Sequence, residues 1–155
     1  MKRSAKTIYW ILFLIYIFIL SLILFFGRKS HSQIPIEEYF FEYGNFMPFR
    51  TLIRYIRYVY IWKNAESFFL ALVNIGGNLI LFFPMGNFLP FLFKDLRDWK
   101  RFLCLISFLI FSSEFLQGFF RIGVPDVDDF LMNILGASAG FFIAGFLNFC
   151  EKIPS

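Results

Sequence analysis

Asp126, Asp128 and Asp129 stand together after Pro125, while Glu114, Gln117 and Asn133 lie in the apolar runs on either side. Side chains of these types hold hard cations, exchange protons or hydrogen-bond a polar ligand. Carboxylates this close could hold Mg²⁺ or Ca²⁺. Their spacing, however, matches no EF-hand loop and lacks the longer double-aspartate pattern of phosphatidyl-transferring membrane enzymes, so no metal and no other cofactor is expected. Asp129 is placed to cap the helix that follows, its oxygen taking a free N–H and its charge suiting the helix dipole. Glu114 sits inside an apolar run, where an unpaired charge is disfavoured by at least about 2.5–3.5 kcal/mol. It must be protonated, paired or turned to a wet cavity. Glu114 and Gln117 are i, i+3 and Arg121 is i+7 from Glu114, so on one continuous helix the three point the same way.

The remaining chemistry-bearing residues are less telling. Ser112 and Ser113 have no histidine near them in sequence, there is no HExxH, and Gly76-Gly77 is no phosphate loop. Cys104 and Cys150 form no metal-ligand spacing and read as free thiols. His31, alone in a polar loop, reads as a surface residue.

The elements that position these residues follow from composition. The chain of 155 residues is 59% apolar and only 17% charged, against about 45–50% and about 25% in soluble domains. The excess lies in long uninterrupted runs, the mark of an integral membrane protein. A net charge of +4 then reports topology and contact with anionic headgroups rather than nucleic acid. Spans are expected over about 8–26, 68–93, 102–120 and 130–149, each near the roughly 20 residues that cross a bilayer core. The first follows Lys2, Arg3 and Lys6 and ends without a small-residue cleavage pattern, so it reads as an uncleaved helix. The expectation is one domain over 1–155, an all-α four-helix transmembrane bundle.

The connection 27–66 carries Arg50, Arg54 and Arg57 at i, i+4, i+7, one face of a helix. Leu52, Ile53, Ile56 and Val59 take the other side, which predicts a short interfacial amphipathic helix over about 50–62. In the second span Asn74 and Asn78 share a face, with Gly77 beside them to permit close helix approach. Pro84 should kink or end that span near Phe83. Gly136, Gly140 and Ala144 form a small-xxx-small stripe that serves packing inside the bundle or homo-oligomerisation. With four spans the termini share a side. Placing them in the cytoplasm sets Lys2, Arg3, Lys6, Lys94, Arg97, Lys100, Arg101 and Lys152 inside, against Arg28, Lys29, Arg50, Arg54, Arg57, Lys63 and Arg121 outside. The contrast between the basic 94–101 loop and the acidic 121–129 loop favours that orientation. At 1.5 Å per residue Glu114 lies about 18 Å into its helix. It therefore falls with Gln117, Asn133, Asn74 and Asn78 in one half of the bilayer, the outer half in this topology.

Taken in order, Asn45-x-x-Pro48-Phe49, Gly77-Asn78-x-x-x-Phe82-x-Pro84-x-Gly86, Glu114-x-x-Gln117 and Asp126-x-Asp128-Asp129-x-x-x-Asn133-x-x-Gly136-x-x-x-Gly140 resemble the VanZ-like family over about residues 45–145. The resemblance implies a small multi-pass protein of the bacterial cytoplasmic membrane, whose namesake is associated with low-level resistance to teicoplanin, a lipid-tailed glycopeptide acting outside the membrane. It supplies no reaction. Three readings follow. The first is a non-catalytic envelope protein whose polar pocket of Glu114, Gln117, Arg121, Asp126, Asp128, Asp129, Asn133, Asn74 and Asn78 binds a lipid-linked precursor or a lipoglycopeptide. The second is an enzyme modifying a phospholipid or undecaprenyl-linked precursor. The third is a structural or accessory subunit whose polar residues only join helices.

Overall fold

The computed structural model describes residues 3–28, 30–63 and 65–150. Lys2, Lys29 and Lys152, which enter the charge comparison, lie outside the described residues, as do the side chains of Arg3 and Cys150. In chain order the elements are α1 (Arg3–Phe25), α2 (Ile36–Glu38) running into a π-helical turn (Tyr39–Tyr43), α3 (Arg50–Trp62) and α4 (Ala65–Leu92). A 3₁₀ turn (Lys94–Arg97), α5 (Trp99–Phe119) and α6 (Val127–Cys150) complete them. Four helices are long and apolar enough to cross a membrane: Lys6–Phe25, Phe68–Leu92, Trp99–Phe119 and Val127–Phe146. The expected all-α, four-span architecture is present, with the amphipathic α3 between the first two spans.

Both later spans start earlier than their apolar runs suggest, because polar residues build their first turns. Asp98 precedes α5 and accepts the Arg101 N–H at 3.0 Å, the usual N-cap bond. Asp128 and Asp129 fall inside the first turn of α6, where negative charge suits the helix dipole.

The bundle is held along one apolar stripe of α5. Phe102, Ile106, Ile110, Ser113 and Gln117 are buried, recurring every three or four residues as one helix face requires. Leu20 and Leu24 of α1, Phe82, Met85 and Leu89 of α4 and Ala137 of α6 pack with that stripe. α1 runs antiparallel to α4: Tyr9 stacks on Phe91, and the Tyr16 hydroxyl donates to the Leu81 carbonyl at 2.7 Å. Ile8, Ile11, Leu14, Ile15 and Phe18 of α1 remain exposed, the outward face of a helix that is apolar all round.

α4 and α6 run parallel and meet backbone to backbone. A Cβ on Gly136 would overlap the Leu79 carbonyl, one on Gly140 the Phe83 carbonyl, and one on Gly86 the Ala137 carbonyl and Phe141 N–H. The small-residue stripe of α6 is thus occupied within the chain, by α4. Gly77 is a correction: a Cβ there meets nothing within 4 Å, and the glycine of α4 at the close approach is Gly86, more than two turns further along. α4 also continues through Pro84 and Pro90 rather than ending near Phe83. Proline removes a single helical hydrogen bond. Contacts of Leu79 and Phe83 with α6, and of Leu81 and Phe91 with α1, hold the helix on both sides of it.

Candidate functional site

At the end of the bundle where α1 and α5 finish and α4 and α6 begin, a polar knot ties α3 to α6. Asn45 and Asp126 pair as an isolated parallel bridge: the Asn45 N–H donates to the Pro125 carbonyl at 2.8 Å, and the Val127 N–H to the Asn45 carbonyl at 2.9 Å. The Asn45 amide also donates to Asp126 Oδ1 at 2.8 Å and to Thr51 Oγ1 at 3.1 Å, while the Thr51 hydroxyl donates to Asp126 Oδ2 at 2.6 Å. Gly118 makes room for this turn, since a Cβ there would run into Pro125 and Phe40.

Asp128 is the centre of the knot. It is only 3% exposed, and its two oxygens serve a helix other than its own. Oδ1 accepts the Phe49 N–H, and Oδ2 accepts those of Thr51 at 2.7 Å and Leu52 at 3.3 Å. These are N–H groups at the start of α3, where no side chain of the preceding Phe49 provides a cap. Asp128 therefore caps α3 from α6, placing a charge at the positive end of the α3 dipole. The cap of α6 itself is a second correction. Asp126, the residue before α6, accepts the Asp128 N–H at 2.8 Å, so Asp126 rather than Asp129 fills the N-cap role.

Freed from capping, Asp129 turns to α4, where the Asn78 amide donates to its Oδ1. Between α3, α4 and α6 lies a cavity of about 10 Å³, lined by Thr51, Tyr55, Asn74, Asn78, Asp128 and Asp129 among others, room for about one water. Asn74 is exposed and bonds its own helix at the Leu70 carbonyl, 2.8 Å away. Burial pushes the Tyr55 phenol above its usual range, and Asp129 adds to the rise. Glu114 is half-buried; the charges that act on it are those of Asp129, Asp126 and Arg28, and it takes a backbone hydrogen bond from Asp126. Asn133 lies deeper, 1% exposed, its Oδ1 without a hydrogen-bond partner.

Two expected members of the cluster go elsewhere. Gln117 is buried and donates to the Leu24 carbonyl at 2.8 Å, joining α5 to the last turn of α1. Arg121 departs from the alignment with Glu114 because α5 ends at Phe119 and Arg121 takes a left-handed conformation, φ 55°. Its guanidinium donates to the Ser32 and Ile34 carbonyls at 3.0 and 2.7 Å. Arg28, just beyond α1, is instead the cation whose charge acts on Glu114 and Asp129. His31 is exposed, as a surface residue should be, and its ring stacks on the buried Tyr39. Asn45 carries a sequence signal, Asn-x-x-Pro-Phe, although that motif does not disclose its partners. Thr51, Tyr55 and Arg28 carry none that sets them apart from their neighbours.

Among the described residues no group of three His, Cys, Asp or Glu is placed to hold a metal ion. Chemically the arrangement is two carboxylates within electrostatic reach of each other, Glu114 and Asp129, with the charge of Arg28 acting on both, and a water-sized cavity that Asp129, Asn74, Asn78 and Tyr55 help to line. The chain's residues 10–148 match the model of the VanZ/LLP1 family. The chain belongs to the VanZ/LLP1 family. No curated protein and no solved structure matches it. In this VanZ-family membrane protein the family-like motifs lie far apart in sequence, yet Asn45, Asn78, Glu114, Asp126, Asp128 and Asp129 meet at one end of the bundle.

Proposed function

We propose that this VanZ-family membrane protein binds an amphiphilic or lipid-linked envelope molecule without catalysis, and thereby gives low-level tolerance to lipoglycopeptides such as teicoplanin. The observation that carries the reading is the division of labour among the carboxylates. Asp126 and Asp128 are engaged by Asn45, Thr51 and backbone N–H groups. Asp129 is left beside Asn78 and the cavity under α3, and half-buried Glu114 lies within electrostatic reach of Asp129 and Arg28. Asp128 spends both oxygens on the first N–H groups of α3, and the Gln117 amide donates to the Leu24 carbonyl, so these two join helices. Glu114 and Asp129 instead set two carboxylates close together in a half-buried site, an arrangement that a ligand's polar group completes. The cavity has room for a water-sized group, so the ligand presents a small polar group there and keeps its apolar part in the membrane. With both termini in the cytoplasm, this end of the bundle faces the outside.

The test is tolerance in cells that depend on this protein for it. Glu114→Gln and Asp129→Asn are expected to lower the teicoplanin concentration the cells survive by at least about fourfold, with membrane levels of protein unchanged. Such isosteric changes remove charge-assisted bonds worth about 1.5–3 kcal/mol each. Wild-type tolerance in both variants would sink the reading.

A further inference from the structure

A second feature lies on a different face of α3 from the cavity. An open groove of about 500 Å³ runs between the Met47–Pro48 turn and α3, with Arg50, Arg54 and Arg57 along it beside Ile53 and Tyr58. Its size falls within the roughly 300–1,000 Å³ of small-molecule sites. The three guanidinium groups make no ion pair: among the described residues the one such pair joins Arg101 to Asp95, near the opposite end of the bundle. Asp126 and Asp128, which meet the start of α3, do not neutralise them either, because both are turned into the knot. Three like charges on one helix face repel one another, and α3 is fixed in place by the Asp128 cap. The groove is a preformed surface of charge +3.

Guanidinium groups present paired N–H donors that match the oxygens of phosphate. A phosphodiester, with one negative charge, leaves most of the +3 uncompensated, whereas a phosphate monoester or a pyrophosphate brings the charge close to balance. The apolar part of the lining argues for a lipid rather than a free anion. Met47, Ile53 and Tyr58 are exposed in the groove, and Phe46, Phe49 and Ile56 are exposed nearby. α3 also lies between the spans ending at Phe25 and starting at Phe68, which is the depth of lipid headgroups. We propose that the Arg50–Arg54–Arg57 groove binds the headgroup of a lipid ending in a phosphate monoester or pyrophosphate, one lipid per chain. The site is separate from the Glu114–Asp129 cluster and stands or falls without it.

The experiment is native mass spectrometry of the full chain in mild detergent, titrated with dioleoyl phosphatidic acid, phosphatidylglycerol, phosphatidylcholine or inorganic pyrophosphate. Phosphatidic acid should bind in single stoichiometry, about tenfold or more tighter than phosphatidylcholine and tighter than phosphatidylglycerol. The Arg54→Gln/Arg57→Gln double variant should lose about tenfold or more of that binding, the loss expected when charge-assisted hydrogen bonds are removed. Both positions are exposed, and an unchanged thermal midpoint of the double variant confirms its fold. Equal binding of the three lipids, or wild-type binding by the double variant, overturns the proposal. Pyrophosphate binding as tightly as phosphatidic acid overturns the choice of a lipid. None of these results bears on the tolerance of Glu114→Gln or Asp129→Asn, so failure here is distinguishable from failure of the functional reading.

Discussion

Exchanging Gly136 for alanine should loosen α6 from α4, while the same exchange at Gly77 should do no harm. One methyl group is added in each case. At Gly136 it points at the Leu79 carbonyl, and at Gly77 it meets nothing within 4 Å. A clashing side-chain end can swing away, but a carbonyl inside a helix moves only if the helix moves. The neighbouring contacts of Gly140 on Phe83 and Gly86 on Ala137 resist that shift. Overpacking of this kind destabilises by about 1–3 kcal/mol, with the upper end expected because both partners are backbone. Gly77→Ala gains helix propensity of up to about 1 kcal/mol. Thermal unfolding in detergent should rank the proteins Gly77→Ala at or above wild type and Gly136→Ala well below. Equal loss in the two variants would mean that α4 and α6 do not meet at this register.

The second large effect is expected at Asp128, where asparagine should be almost as damaging as alanine. The carboxylate uses both oxygens, one on the Phe49 N–H and the other on those of Thr51 and Leu52. Asparagine keeps one acceptor and puts an NH₂ group where the second stood, facing donors. A lost N-cap destabilises by about 0.5–2 kcal/mol, and a bond to a charged group contributes about 1.5–3 kcal/mol. A stability loss of about 2 kcal/mol or more is therefore expected for either variant. Hydrogen exchange should localise it, with the amides of Thr51, Leu52 and the rest of α3 losing protection while those of α5 keep theirs. An Asp128→Asn protein whose α3 is protected as in wild type would contradict the assigned cap.

These two sites mark where sequence reading reaches its limit. The spans were legible because crossing a membrane demands long apolar runs, and α3 because Arg50, Arg54 and Arg57 recur at helical spacing. The gathering of polar residues at one end followed from helix rise alone. Contacts that depend on the relative rotation of helices did not follow. The sequence pointed to Gly77 for close approach, and only the register of the packed pair brings Gly86 to α6 instead. Three aspartates in one acidic turn are interchangeable by composition, yet their backbone positions separate them into a cap for α6, a cap for α3 and a partner for Asn78. Arg121 was aligned with Glu114 by assuming an unbroken helix. Termination of α5 at Phe119 turned it to the loop and left that place to Arg28.

The central claim is that the Glu114–Asp129 cluster holds an amphiphilic ligand, and mass spectrometry of what co-purifies with the protein tests it most directly. Wild type and the Glu114→Gln/Asp129→Asn double variant would be extracted from the same membranes in the same mild detergent. The account predicts one amphiphile enriched over the bulk membrane on the wild type and depleted on the variant, while any lipid held by the arginine groove stays on both. An identical complement of bound molecules on the two proteins would contradict it.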